Sequence, residues 1–420
     1  MKPTSPGPAP AAQGSDTAGA QQRTPIFTAV RLYGSFRYLL VGTMATMFGQ
    51  WMQNIALGWY MLDLTNSAFW VGLTGFALGI PYLLVPIPAG AFIDRADERK
   101  VLIASQWAAM SAATLLAIVI LLDIAQPWHL LIVALFNGTA MAVNQMVRQT
   151  FVPSLVPREH LANAVSLSSA GGNAMRIVGP SIAGAIIGTV GVAACFFVQA
   201  VALGGALLST TRIERVKNER GGLARGGILD GVREVRRNPA LGSLMLLTGV
   251  PALLVFPYIQ LMPVFARDVF GIGAAGLGLL MVASGVGALT GALIAATLDR
   301  LQRKGLVVML LTIVYCATIA LFAASPWVAL AMVGLFFGGI TGSIFGSLSN
   351  TLMLLLADAR VRGRVMGLYM LTNGFTPFGA LLLGGLADSI GTQVAVATSC
   401  GLAAVIVGLA SLRMRRLREA

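Results

Sequence analysis

The chain has 420 residues, of which 56% are hydrophobic and only 11% charged, with 49 glycines besides. An ordinary soluble domain carries roughly 25% charged residues, whereas mean hydropathy here is +0.80. Too little charge remains to cover a water-facing surface of this size. That excludes a cytosolic enzyme or a secreted domain and leaves an all-α polytopic membrane protein. The net charge of +13 does not point to nucleic acid, because the basic residues sit in short loops between apolar runs, where membrane topology accounts for them.

Residues 1–30 open the chain as a disordered cytoplasmic tail rich in Pro, Ala, Gly, Ser, Thr and Gln, without the apolar core of a signal peptide. A spanning helix needs about 20 apolar residues, and twelve segments qualify: 37–62, 69–93, 101–122, 127–147, 161–186, 190–211, 241–265, 272–298, 305–324, 326–350, 365–387 and 392–412. They group into an N-terminal six-helix half, 31–211, and a C-terminal one, 241–412. The hydrophilic linker 212–240 lies between them, and a basic tail, 413–420, ends the chain. In the linker, Ile228, Val232 and Val235 form an apolar stripe facing Arg233, Arg236 and Arg237, and Asn238-Pro239 stops the helix. The linker reads either as an amphipathic helix on the inner leaflet or as a plain tether.

With the N-terminus placed inside, 27 of the 29 basic residues fall in inside loops and tails. Arg267 alone lies outside, and Arg176 alone lies within a span. This asymmetry predicts both termini in the cytoplasm of a multi-pass inner-membrane protein. Cys195, Cys316 and Cys400 lie in apolar runs without a CxxC pair, and His129 and His160 are isolated. No HExxH, P-loop or pair of membrane carboxylates is present, so neither a metal, a cofactor nor an enzyme activity is expected.

The halves echo each other. GAFIDRADER, from Gly90 to Arg99, aligns with AATLDRLQRK, from Ala295 to Lys304, so Asp94-Arg95 recurs as Asp299-Arg300 after the second span of each half. Paired six-span repeats are a transporter signature, with substrate bound near the midplane between them.

At these residues the sequence resembles the major facilitator superfamily, and more narrowly its bacterial export branch of enterobactin-type siderophore exporters and macrolide efflux proteins. Gly49-Gln50-Trp51-Met52-Gln53, Gly90–Lys100, Arg176–Gly184, Gly231–Pro239 and Gly363-Arg364-Val365-Met366 carry the resemblance. It implies the major facilitator fold, twelve transmembrane helices in two pseudo-repeats. The loop motif after span 2 matches at Gly90, Asp94, Arg95 and Arg99, while Asp97 and Glu98 depart from it. The resemblance implies that this loop, with Asp299 and Arg300 of the second half, switches the cytoplasmic face between closed and open. The antiporter motif of span 5 matches in part, at Gly179-Pro180 with Gly184 one place late, and implies an export-linked hinge. Ordinary glycine and proline usage in a membrane helix is the alternative.

Arg176 lies about 22 Å into its helix at 1.5 Å per residue. An Arg at the bilayer centre costs at least ~2.5 kcal/mol, so Arg176 must face a cavity or bond to carbonyls freed near Pro180. Other polar residues recur at helical spacing: Gln50, Gln53 and Asn54 on span 1, Asn137, Asn144 and Arg148 on span 4, and Asn173 on span 5. Tyr258 on span 7, Asn350 on span 10 and Asn373 on span 11 follow. These side chains are either substrate contacts or interhelical hydrogen bonds. No Asp or Glu lies in mid-span, which favours a neutral or anionic substrate over a cation. Asp63 and Asp94 are the nearest candidates for proton coupling, which the resemblance implies. The expected function is proton-driven export of a hydrophobic or anionic small molecule by a monomer in the lipid bilayer. An importer or facilitator of the same fold, or a non-transporting sensor, remains the alternative.

Overall fold

In the computed structural model, which describes residues 28–85, 97–213, 228–298, 303–358 and 362–414, the apolar runs are α-helices bounded by short polar caps. The first half holds α1 (Thr28–Leu32), α2 (Gly34–Thr65), α3 (Ala68–Leu84), α4 (Glu98–Leu121), α5 (Pro127–Leu155), α6 (Arg158–Thr189) and α7 (Val192–Thr211). The linker helix α8 (Ile228–Arg237) leads to the second half: α9 (Pro239–Leu254), α10 (Gly273–Ala295), α11 (Lys304–Ala324), α12 (Val328–Leu356), α13 (Arg362–Asn373), α14 (Thr376–Ile390) and α15 (Thr392–Arg413). Asp97 caps α4 by accepting from the Arg99 and Lys100 backbone N–H groups at 3.0 and 3.4 Å. Asn238 caps α9 through the Ala240 N–H at 3.1 Å. Carboxylate and amide oxygens suit the unpaired N–H groups of a first turn.

Among the described residues, nine helical stretches are long and apolar enough to cross a bilayer. Three further expected spans are not among these nine. The described part of the apolar α3 has 17 residues, and residues 86–93 of that expected span lie outside the described residues. The 32-residue helices α2 and α6 are long enough, but they carry the polar side chains that face the interior.

The structure corrects four sequence expectations. The tail expected to run to residue 30 ends earlier, because Thr28–Leu32 is helical, with Ala29 buried and its N–H donated to Asn163 Oδ1 at 3.2 Å. The seventh span is not one α-helix: Pro251, Pro257 and Pro263 remove backbone donors, and the chain passes through a 3-10 turn at Phe256–Leu261 and a π turn at Phe265–Val269. The eleventh breaks at Gly374-Phe375, before Pro377. Fourth, Arg148 is not a loop residue. Helix α5 runs past it to Leu155, and Arg148 is only 6% exposed.

Arg148 is accommodated because every guanidinium nitrogen has an acceptor. Nε donates to Asn144 Oδ1, Nη1 to Thr43 Oγ1 and the Leu39 carbonyl, and Nη2 to Thr46 Oγ1 and the Gly42 carbonyl. The two threonine hydroxyls themselves donate to Leu39 O and Gly42 O, each at 2.7 Å. One buried cation thereby fixes α5 to a single turn of α2.

The halves pack alike. In the first, α2 lies against α6 and α7, α3 against α5, and α4 against α7; in the second, α9 lies against α14 and α15, α10 against α12, and α11 against α15. The turn into the last helix of each half uses a glycine with positive φ, Gly191 at 109° and Gly391 at 86°, a conformation that favours glycine. The two main helix–helix contacts between the halves are α3 with α14 and α6 with α10, each the counterpart of the other. The linker helix α8 packs on α13 and α9, with Val235 against the apolar cluster of Leu241 and Leu244. The glycine ridges of α10 and α12 serve packing within the second half: a Cβ at Gly334 or Gly338 would meet α11, and one at Gly291 would meet α12.

Replacing Arg148 by Ala leaves the Asn144 acceptor unpaired and should destabilise the protein by about 3 kcal/mol. Thermal unfolding of the purified protein should show a lower midpoint for Arg148→Ala, partly restored in Arg148→Lys. An unchanged midpoint in Arg148→Ala would show that the cradle does not hold α5 in place.

Candidate functional site

Two chambers lie between the halves. Chamber A, about 400 Å³, is bounded by α2, α6, α10, α12 and the irregular stretch after α9, and it contains Trp51, Asn54, Asn173, Arg176, Phe256, Tyr258, Gln260, Ser284, Tyr315, Ser343 and Thr376. Chamber B, about 610 Å³, is bounded by α2, α3, α5, α13 and α14, and it contains Gln50, Gln53, Asn54, Tyr82, Asn137, Gln145, Gln260 and Thr376. Asn54, Gln260 and Thr376 line both. Volumes of this order suit small-molecule sites. No carboxylate lines either chamber among the described residues, so Arg176 is the sole formal charge.

Arg176 is not buried in protein; its side chain is exposed to chamber A, with the guanidinium carbon 5.4 Å from the Trp51 ring centroid. The ring's negative face stabilises the cation. Gly179 sets this geometry, since a Cβ there would lie 2.8 Å from Trp51 Cβ and 3.1 Å from Phe48 O. Phe256 and Tyr315 meet edge to face at 5.6 Å in the same chamber. In chamber B, Gln50 Nε2 donates to the Tyr82 hydroxyl at 2.9 Å, and Gln199 Nε2 donates to Gln53 Oε1 at 2.7 Å.

Two polar contacts between the halves close the bundle at the end holding Thr65 and Ile390. Asp388, at the end of α14, accepts from the Ser67 hydroxyl and from the Ala68 N–H, both at 2.6 Å. Its carboxylate therefore caps α3 from the other half. Arg267 donates to Leu62 O at 2.9 Å and to Asp63 at 3.4 Å, and it is itself held by Asp268 at 2.6 Å. A cation thus meets the carbonyl end of α2. Beside these contacts the halves approach at glycines. A Cβ at Gly184 would lie 2.6 Å from Ala274 O and 2.8 Å from Gly278 N, and one at Gly384 would lie 2.7 Å from Ala68 O. Chamber B extends from this closure toward the opposite end, along Leu83 of α3, Met146 of α5 and Gly367 of α13.

Seven of the expected substrate contacts line the chambers: Gln50, Gln53, Asn54, Asn137, Asn173, Arg176 and Tyr258. Asn144 does not; it joins Arg148 and donates to Ser105 Oγ at 3.2 Å within the first half. Asn350 is exposed and lines neither chamber. The Asn373 side chain, and Gly90, Asp94, Arg95, Asp299 and Arg300, lie outside the described residues. Arg99 donates to Thr211 O, a bond within one half. Sequence reasoning missed Gln260, Tyr82, Gln145, Ser284 and Tyr315. Gln260 follows Tyr258 by two residues in a stretch that is not α-helical, where a 3.6-residue period places nothing correctly.

A sequence profile described as transmembrane secretion effector matches residues 28–420. Over 402 residues the chain is 27% identical to a multidrug efflux pump, Tap, of Mycolicibacterium fortuitum, covering 92% of this chain and 97% of that one. It is 25% identical over 401 residues to the enterobactin exporter EntS of Salmonella typhi, covering 93% and 95%. Its fold is similar to the crystal structure of a bacterial homologue of the human lysosomal transporter Spinster in an inward-facing, unoccupied conformation. That match has a TM-score of 0.71 at 14% identity and covers 92% of this chain and 98% of that one.

Because no Cβ fits at Gly184, Gly184→Leu should hold α6 away from α10 and open the Thr65 end. A cysteine introduced at Ile259, in chamber A, should then react severalfold faster with a membrane-impermeant thiol reagent applied from the side of the Thr65 end than it does with Gly184 present. Equal rates would show that the glycine contact does not control access.

Proposed function

Because the chain belongs to the transmembrane secretion effector family of the major facilitator superfamily, we propose that it exports an anionic or hydrophobic small molecule across a bacterial inner membrane by alternating access, driven by proton antiport. The observation that carries this reading is Arg176, a cation beside Trp51 in a chamber between the halves that no carboxylate lines among the described residues. Such a site attracts an anion and repels a cation. The efflux pump and the siderophore exporter among its relatives favour export over import.

The chain crosses the membrane twelve times as a monomer, with both termini in the cytoplasm, where the basic loops belong. The closed Thr65 end then faces outward, and the chambers lead inward. The described state is the one that loads substrate from the cytoplasm. Export requires the Asp388 cap and the Arg267 contacts to part while the opposite ends of the halves close. The loop holding Asp94, with Asp299 and Arg300, takes over as the cytoplasmic lock in that second state. Gly179-Pro180 and Gly184 lie where α6 must move against α2 and α10. Asp63 is the proton carrier of this reading: opening frees it from Arg267 and exposes it to outside protons.

Energised everted vesicles containing the protein should accumulate N-acetyl-EDANS, a water-soluble naphthalenesulfonate, and Arg176→Gln should remove most of that accumulation. Accumulation in right-side-out vesicles instead would reverse the direction, and none in either orientation would contradict the anion site. Asp63→Asn should retain counterflow but lose accumulation against a gradient. Protonophore-sensitive accumulation persisting in Asp63→Asn would take that carboxylate out of the coupling.

A further inference from the structure

The two chambers differ in chemistry and share a wall. Chamber A has its one cation above Trp51, with Phe256, Tyr258 and Tyr315 around it. Chamber B has amides and thioethers, among them Gln145, Met141, Met146 and Met370, and no charged side chain among the described residues. Asn137, in chamber B, is 2% exposed, and neither atom of its side-chain amide has a partner. A buried amide is costly to leave unpaired, which makes Asn137 a site awaiting a ligand group. The shared wall is polar: Asn54 from the first half, and Gln260 and Thr376 from the second. Thr376 opens α14 at this waist.

We propose that the two chambers take one bipartite ligand: a flat anionic aromatic head in chamber A, joined through the waist to an uncharged, amide- or hydroxyl-bearing arm in chamber B. This rests on the reading of the cavity as the transport site. Arg176 neutralises the head and Trp51 offers it a ring to stack on. Among the described residues chamber B has no group that could compensate a second charge, so a charged arm would lose its water for nothing. Asn137 supplies a donor and an acceptor for the arm, while the methionine side chains adapt to its apolar atoms. Specificity is thereby divided: chamber A selects charge, chamber B selects length and neutrality.

Three probes with one head test this: N-acetyl-EDANS, N-hexanoyl-EDANS and N-(6-aminohexanoyl)-EDANS, whose arms are short, long and cationic. Binding to the full chain in nanodiscs is read by fluorescence anisotropy, with empty nanodiscs subtracted. The informative variant is Gly367→Leu, since Gly367 lines chamber B and a Cβ there meets nothing within 4 Å. A leucine fills the chamber without displacing its walls. The hexanoyl arm should bind about tenfold more tightly than the acetyl arm, from the methylenes it buries. Gly367→Leu should abolish that difference, and the ammonium arm should show no gain. Arg176→Gln should weaken all three alike, and Arg176→Lys should restore them.

Equal affinity for short and long arms, equal loss of both in Gly367→Leu, or unchanged binding in Arg176→Gln would overturn the proposal. Counterflow of the probes without arm dependence would refute the bipartite ligand alone. Neither binding nor counterflow of any probe would refute the transport-site reading as well.

Discussion

An ionised side chain inside a bilayer must be cradled by acceptors, face water, or sit where a helix ends, because hydrocarbon offers no solvation. Among the described residues the chain meets this constraint in all three ways. Arg148 is cradled by α2 carbonyls, threonine hydroxyls and Asn144. Arg176 faces a chamber. Asp388 and Arg267 sit where α3 begins and α2 ends, each reaching across from the other half. The cradled charge ties α5 to α2, the chamber charge lies open to the space between the halves, and the helix-end charges hold the two halves together.

The division between rigid and separable contacts follows the same logic. Within the halves, packing is dense and apolar, and the glycine ridges of α10 and α12 bring backbones into contact where no side chain fits. Between the halves at the Thr65 end, one apolar cluster that includes Leu62 and Val71 with Leu261 and Met262 is completed by glycine contacts and a few charge-assisted bonds that water can replace. Water entering there would compensate the lost partners of Asp388 and Arg267. Arg148 has no such alternative, since its acceptors are buried with it. The interface is therefore where the proposed motion belongs.

Much of the fold was legible in the sequence because hydrophobic length and the distribution of arginine report directly on the bilayer. The repeat was visible in Asp94-Arg95 and Asp299-Arg300, and the structure adds Gly191 and Gly391, turns with no local pattern to announce them. The broken helices were hidden, since Pro251, Pro257 and Pro377 lie in runs whose hydropathy is uninterrupted. Arg148 read as a loop residue because hydropathy cannot see a cradle assembled by another helix. The site was half visible: one-face amides on α2 and Arg176 on α6 point to a cavity, but Asn144 shares its period with Asn137 and turns inward to Arg148 instead. Gln260 and the Asp388 cap depend on which segments meet, information that periodicity does not carry.

The central claim is that the halves must separate at the Thr65 end for transport. In a variant lacking the three native cysteines, Ser67→Cys with Asp388→Cys places two thiols where the hydroxyl and the carboxylate now meet at 2.6 Å. Oxidation should join them, stop counterflow of N-acetyl-EDANS in vesicles, and leave its binding from the cytoplasmic side intact, with reduction restoring transport. Counterflow continuing at its full rate while mass spectrometry shows the crosslink formed would contradict the account.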